Sequence, residues 1–218
     1  LRLGLNSITA AGVGVLLESM SYITNLDLGH NLIRSEGAIL LARSLRNNAL
    51  PNLTSLSLSC CYIRDDSFIA MMSALEPNKS LLHLDLRSNH DVSERAFLAL
   101  AESLPEIKVL QRVDFHWCTG LASAMPLLLA GLRKNTSLFR FHVANCAPSF
   151  APPTPAETAG LAGGWMQEME RLGYRNRFLS FIRTPEEVRR PPQSRPLTQS
   201  GQGCHGLNHP CRHEAHPS

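Results

Sequence analysis

The stretch Ile23 to Ala38, I-T-N-L-D-L-G-H-N-L-I-R-S-E-G-A, decides the fold. Number Leu26 as position 0. Apolar residues then stand at −3 (Ile23), 0 (Leu26), +2 (Leu28) and +7 (Ile33), with Asn31 at +5. Residues alternating at 0 and +2 point to one side of a short strand. A side chain at +5 turns inward where the strand ends. There an Asn amide, with donors and an acceptor, satisfies the backbone of the turn.

The same spacing returns along the chain. Position 0 falls at Leu1, Leu26, Leu56, Leu84, Val113 and Phe141, in steps of 25, 30, 28, 29 and 28 residues. Position +2 is Leu3, Leu28, Leu58, Leu86, Phe115 and Val143, and position +5 is Asn6, Asn31, Cys61, Asn89, Cys118 and Cys146. Cys suits the +5 slot as a small, buried residue. After each strand comes a helical stripe: Gly37, Ala38, Leu41, Ala42 and Leu45 in the second unit, Ser67, Phe68, Met71, Met72 and Leu75 in the third, and Ala124, Met125, Leu128, Leu129 and Leu132 in the fifth. That spacing buries one helical face. One unit cannot cover the face alone, so neighbours must stack. The period and the L-x-x-L-x-L-x-x-N/C-x-L pattern are the leucine-rich signature.

The unit Leu26 to Leu45 resembles the ribonuclease-inhibitor-like leucine-rich repeat family. The return loops Leu75-E-P-N-K-S-Leu81 and Leu132-R-K-N-T-S-Leu138 resemble that family's L-x-x-N-x-S-L loop. The resemblance implies an α/β solenoid, a horseshoe with parallel strands on its concave side and helices outside. It also implies protein binding rather than chemistry. The third unit, Leu53 to Phe68, resembles the cysteine-containing repeats of ubiquitin-ligase substrate receptors, and some relatives activate small GTPases.

Three regions are expected: a solenoid of about six repeats over 1–147, a helical cap over 148–183 and a disordered tail over 184–218. Pro148, Pro152, Pro153 and Pro155 break the sixth helix, after which Thr154-Pro-Ala-Glu157 fits a capping box. The tail lacks aromatic residues and periodicity, a composition that cannot bury enough surface to fold alone. Leu1 stands inside a strand, so the sequence reads as a fragment, with Leu1, Leu3, Leu16 and Leu17 forming an uncovered apolar end.

The 218 residues carry a net charge of +3, split as −1 over residues 1–174 and +4 over the remainder. A near-neutral solenoid gives no support to nucleic acid as partner. There is no run of eighteen apolar residues to span a membrane. Cysteines placed in +5 slots read as reduced and buried, which favours a cytoplasmic setting.

The candidate site is the outward side of the last three strands. Column −1 offers His83, Arg112 and Arg140. Column +1 offers Asp85, Asp114 and His142, and column +3 offers Arg87 and His116. Trp117 stands at the strand exit. Arg and Trp dominate interface energetics, so these nine residues are expected to bind a partner protein. The rival reading is a solvated face whose opposite charges pair across strands. His83, Asp85, Asp114 and His116 lack a nucleophile elbow, phosphate loop or fixed triad, so no catalysis and no cofactor are expected. Cys204, His205, His209, Cys211, His213 and His216 are zinc-ligand types, but no C-x-x-C pair frames them and no metal site is assigned.

Overall fold

The computed structural model describes residues 1–118, 120–143, 168 and 171–173. Its elements alternate: α1 (Ala10–Ser19), β1 (Asn25–Asp27), α2 (Arg34–Arg46), β2 (Ser55–Ser57), α3 (Asp65–Leu75), β3 (His83–Asp85), α4 (Glu94–Ser103), β4 (Arg112–Asp114), α5 (Leu121–Lys134) and β5 (Arg140–His142). The five strands form one parallel sheet in chain order. Leu26, Leu56, Leu84, Val113 and Phe141 sit opposite one another, position 0 to position 0. A parallel bridge from Arg2 to Asp27 brings the first unit into the same register. Each helix packs on the next, forming the second layer of an α/β leucine-rich-repeat solenoid.

The core lies between the layers. Leu28 and Leu58 are 0 % exposed and Leu86 1 %, the continuous row that position +2 requires. Burial of each such side chain stabilises the fold by about 1.5–3 kcal/mol. The helical stripes of α2 and α3 are buried as spaced in the sequence; in α5, Leu129 is only partly covered. A file of rings crosses the last units: Phe68 to Phe97 at 5.2 Å, Phe97 to Phe115 at 5.3 Å and Phe115 to Phe141 at 5.4 Å.

Two sets of asparagines stitch the turns. Asn31 Oδ1 accepts from the Asn6 and Ile8 N–H groups, both at 2.9 Å, while its Nδ2 donates to the Leu3 and Leu28 carbonyls at 2.8 Å. Asn89 repeats this two units later, accepting from Cys61 and Ile63 N–H and donating to Leu58 and Leu86. In the same slot Cys61 Sγ donates to the Leu28 carbonyl at 3.2 Å and Cys118 Sγ reaches the Leu86 carbonyl at 3.6 Å. A thiol keeps one weak donor and loses the strong acceptor. Burial pushes the Cys61 thiol up to about 12. In the return loops, Asn78 Oδ1 accepts from Ser80 and Leu81 N–H, and Asn135 Oδ1 from Ser137 and Leu138 N–H.

Position +4 carries a feature with no glycine to announce it. Leu5, His30, Cys60, Ser88 and Trp117 all adopt left-handed backbone, with φ between 55° and 63°. Such a conformation costs an L-residue roughly 1–2 kcal/mol. It is offset by the ladder it extends: the His30, Cys60 and Ser88 N–H groups donate to the carbonyls of Ser59, Arg87 and His116 on the next unit, at 2.8, 3.0 and 2.7 Å.

Of the segment 148–183, only Glu168 and residues 171–173 are described. Glu168 accepts from Arg133 Nε at 3.2 Å and from Arg171 at 2.7 and 2.8 Å. These bonds, Arg171's foremost, hold its carboxyl down to about 2. Leu172 is 2 % exposed and joins the core. The remainder of the expected cap, the capping box, Cys146 and the expected tail with its Cys and His residues lie outside the described residues. No helix among the described residues is long and apolar enough to cross a membrane.

Candidate functional site

The strand register places six of the nine expected residues side by side: His83, Arg112 and Arg140 in one column, and Asp85, Asp114 and His142 in another. Arg112 faces His83 on one side and Arg140 on the other. Asp114 lies between Asp85 and His142. Inward residues at 0 and +2 anchor the strands, so the outward columns stand on a rigid base.

The +1 and +3 columns pair with one another. Asp85 Oδ1 accepts from the Arg87 N–H at 3.1 Å, and its Oδ2 meets Arg87 Nη2 at 3.0 Å. Ser57 Oγ donates to the same oxygen at 3.3 Å. Burial raises the Asp85 carboxyl above the usual carboxylate range, and its bonds to Arg87 hold back part of that rise. Asp114 Oδ1 accepts from the His116 N–H at 3.0 Å and also contacts His116 Nδ1. Asp114 Oδ2 lies 3.8 Å from His142 Nδ1. The two imidazoles meet edge to face, 6.0 Å between centroids. Pairing thus runs mainly along a strand, from +1 to +3. Across strands, Asp85 meets only the neutral Ser57 hydroxyl among the described residues, and Asp114 lies near His142.

The −1 column is different. Arg112 and Arg140 are exposed, and neither guanidinium has an acidic partner among the described residues. Arg112 lies over the Phe139 ring, 5.8 Å from its centroid; such a cation–π contact fixes the head without neutralising it. His83 is half-buried, and burial, followed by the charge of Arg112, lowers its imidazole below the usual range. Trp117 is 50 % exposed. Its backbone is left-handed at the strand exit. Among the described residues no group of three or more His, Cys, Asp and Glu side chains is arranged to hold a metal ion.

A second feature of this face lies over the first units, where no candidate was assigned. A trough of about 350 Å³ is lined by Arg2, Gly4, Leu5, Asp27, Gly29, His30, Ser57, Ser59 and Arg87. It exists because column +3 is nearly bare there, with Gly4, Gly29 and Ser59 in place of Arg87 and His116. The signal lies in that column, but small residues carry neither the reactive nor the interface-type chemistry by which a site is legible in sequence.

A family model described as leucine-rich repeat matches residues 19–42 and 49–72. Among curated proteins, the mouse NACHT, LRR and PYD domains-containing protein 12 is 32% identical over 120 residues, 51% of this chain and 11% of that protein. The mouse centrosomal protein of 78 kDa is 28% identical over 121 residues, 55% of this chain and 15% of that protein. The chain therefore spans a small part of these relatives' length. Among solved structures, leiomodin-1 actin-binding site 2 superposes with a TM-score of 0.63 at 19% identity, covering 78% of this chain and 90% of that one. The C-terminal domain of Caenorhabditis elegans tropomodulin gives 0.56 at 17% identity, covering 78% and 94%. Both structures share the fold.

Proposed function

We propose that this leucine-rich-repeat solenoid is a non-catalytic protein-interaction module that binds its partner on the concave, strand-lined face of its last units. One observation carries the reading: Arg112 and Arg140 stand exposed in adjacent strands, without acidic partners among the described residues, and a half-exposed Trp117 follows the exit of β4. Bidentate Arg–carboxylate pairing would orient an acidic partner surface, and Trp117 would supply an apolar anchor. Asp85, Arg87, Asp114, His116 and His142, paired among themselves, contribute shape more than charge.

The finer family placement, with ribonuclease-inhibitor-like repeats, is part of the proposal. Full α-helices of 10 to 14 residues in each of the first five units support it. A cytoplasmic setting is part of it too, supported by the buried Cys61 thiol. Regulation of an enzyme, as a small-GTPase activator or ubiquitin-ligase substrate receptor, would use the same face. Cys61 favours the latter less than the sequence suggests, since Cys118 fills the equivalent slot two units on. The leiomodin-1 neighbour is an actin-binding site, so actin is a first partner to assay, by co-sedimentation.

With a partner isolated by cross-linking pull-down, Arg112→Ala and Trp117→Ala are each expected to weaken binding by about 2 kcal/mol at unchanged melting temperature. Arg43→Ala, on the exposed side of α2, is expected to do neither. Retained affinity in both face variants, with loss in the helix variant, would place the interface on the outer layer.

A further inference from the structure

The geometry points to the trough over units one to three as a subsite for a neutral primary amide, an Asn or Gln side chain carried on an extended segment of a partner protein. The assignment rests on reading the strand face as protein-binding, but of the residues of the site proposed above it shares only the flanking Arg87.

Three polar groups in the trough lack partners among the described residues. Ser59 is 7 % exposed, and its hydroxyl makes no hydrogen bond. No wholly enclosed side-chain oxygen or nitrogen is left unsatisfied among the described residues, so that hydroxyl opens into the trough it lines. Asp27 Oδ1 accepts from the Gly29 N–H at 3.0 Å, which leaves Oδ2 unused. The Arg2 guanidinium forms no ion pair. Arg87 closes the far side and is already bound to Asp85.

The mixture of signs selects the ligand. A carboxylate entering the trough meets Asp27, and an ammonium meets Arg2 and Arg87. Like-charge juxtaposition of this kind is strongly disfavoured across an interface. A primary amide has two donors and an acceptor and no charge. Its NH₂ reaches the free oxygen of Asp27, while its carbonyl accepts from Ser59 or Arg2. Space is provided by the floor. Gly4, Gly29 and Ser59 sit at one position on three adjacent units, a width of about 10 Å at the usual strand spacing. A side chain at Gly29 would itself fill this space, since its Cβ would stand 2.5 Å from Ser59 Oγ.

The test uses a phage-displayed library of random twelve-residue peptides, selected on the purified full chain. Selected peptides are expected to share an Asn or Gln. For the tightest one, made synthetically and measured by calorimetry, Gln→Glu and Gln→Lys (or the Asn counterparts) should each weaken binding at least about tenfold. Ser59→Ala and Arg2→Met in the protein should weaken it several-fold at unchanged melting temperature, because neither side chain holds the fold together. Peptides without an amide residue, or binding indifferent to both protein variants, overturn the assignment. Peptides that respond only to Arg112→Ala and Trp117→Ala overturn it while leaving the interaction reading intact. Peptides indifferent to all four variants overturn both.

Discussion

His83 shows how one residue's surroundings become a measurable property. It stands half-buried beside Arg112, and both burial and the neighbouring charge disfavour the imidazolium, lowering its titration point below the usual 6.5. The sign follows from linkage. A group whose folded titration point is depressed contributes stability that is present above its unfolded value and lost as pH falls through the folded one. Acidification from neutral pH through the usual histidine range should therefore destabilise the domain, and His83→Gln should lose less stability over the same interval. NMR titration of the His83 ring should place it below the usual histidine value, with Arg112→Gln restoring part of the difference. A His83 ring titrating at or above the ordinary value would contradict the packing. Nothing in the sequence around His83 announced this shift; it arises first from burial and then from Arg112, 29 positions away in the chain and adjacent only through strand pairing. Position +4 was equally silent, because the left-handed turn is imposed on Leu5, His30, Cys60 and Ser88 alike by the ladder it completes.

At the scale of elements, the inward pattern was legible because burial is written into residue type. From the second unit to the fifth, the apolar residues at 0 and +2 and the Asn or Cys at +5 are buried where their spacing put them, as is the small-then-large stripe of α2 and α3, whereas Leu1 and Asn6 of the first unit are exposed. What spacing does not record is distance between layers. Gly131 in α5 faces α4 so closely that an added Cβ would stand 2.4 Å from the Ala101 carbonyl oxygen. Gly14 in α1 has nothing within 4 Å of the same position. Helix propensity alone favours alanine over glycine by about 1 kcal/mol at either site. At Gly131 the obstacle is backbone, and overpacking of about 1–3 kcal/mol outweighs the gain. Gly131→Ala is therefore expected to lower the melting temperature by a few degrees and Gly14→Ala to raise it, as calorimetry would record. A rise in both would mean that α4 and α5 separate more easily than their packing implies. The outward columns were half legible: the sequence placed the charged residues, but only the folded chain distinguishes the internally paired Asp85, Arg87, Asp114 and His116 from Arg112 and Arg140, which have no acidic partner among the described residues.

For the solenoid as a whole, stability is a sum of unit terms and neighbour terms. The neighbour terms here are visible as bonds and rings that cross units: Asn89 reaching back to Cys61 and Ile63, Cys61 reaching back to Leu28, and Phe68 stacked on Phe97 and Phe115. A lesion in the third unit should consequently spread in both directions. Leu58, wholly enclosed, gives the cleanest test. Leu58→Ala removes buried carbon and is expected to cost about 2–5 kcal/mol, lowering the melting temperature while a single transition remains. Leu58→Asp places an unpaired charge in the same enclosure, where no counter-ion or water can reach it, and the penalty of desolvation exceeds the margin by which a domain of this size is folded. The native circular dichroism signal should be lost, and hydrogen-exchange protection of β1 and β3 should fall together with that of β2. Protection lost from β2 alone, with β1 and β3 as slow as in the parent, would show that the units hold themselves up individually and that the ladder of side-chain bonds between them adds little.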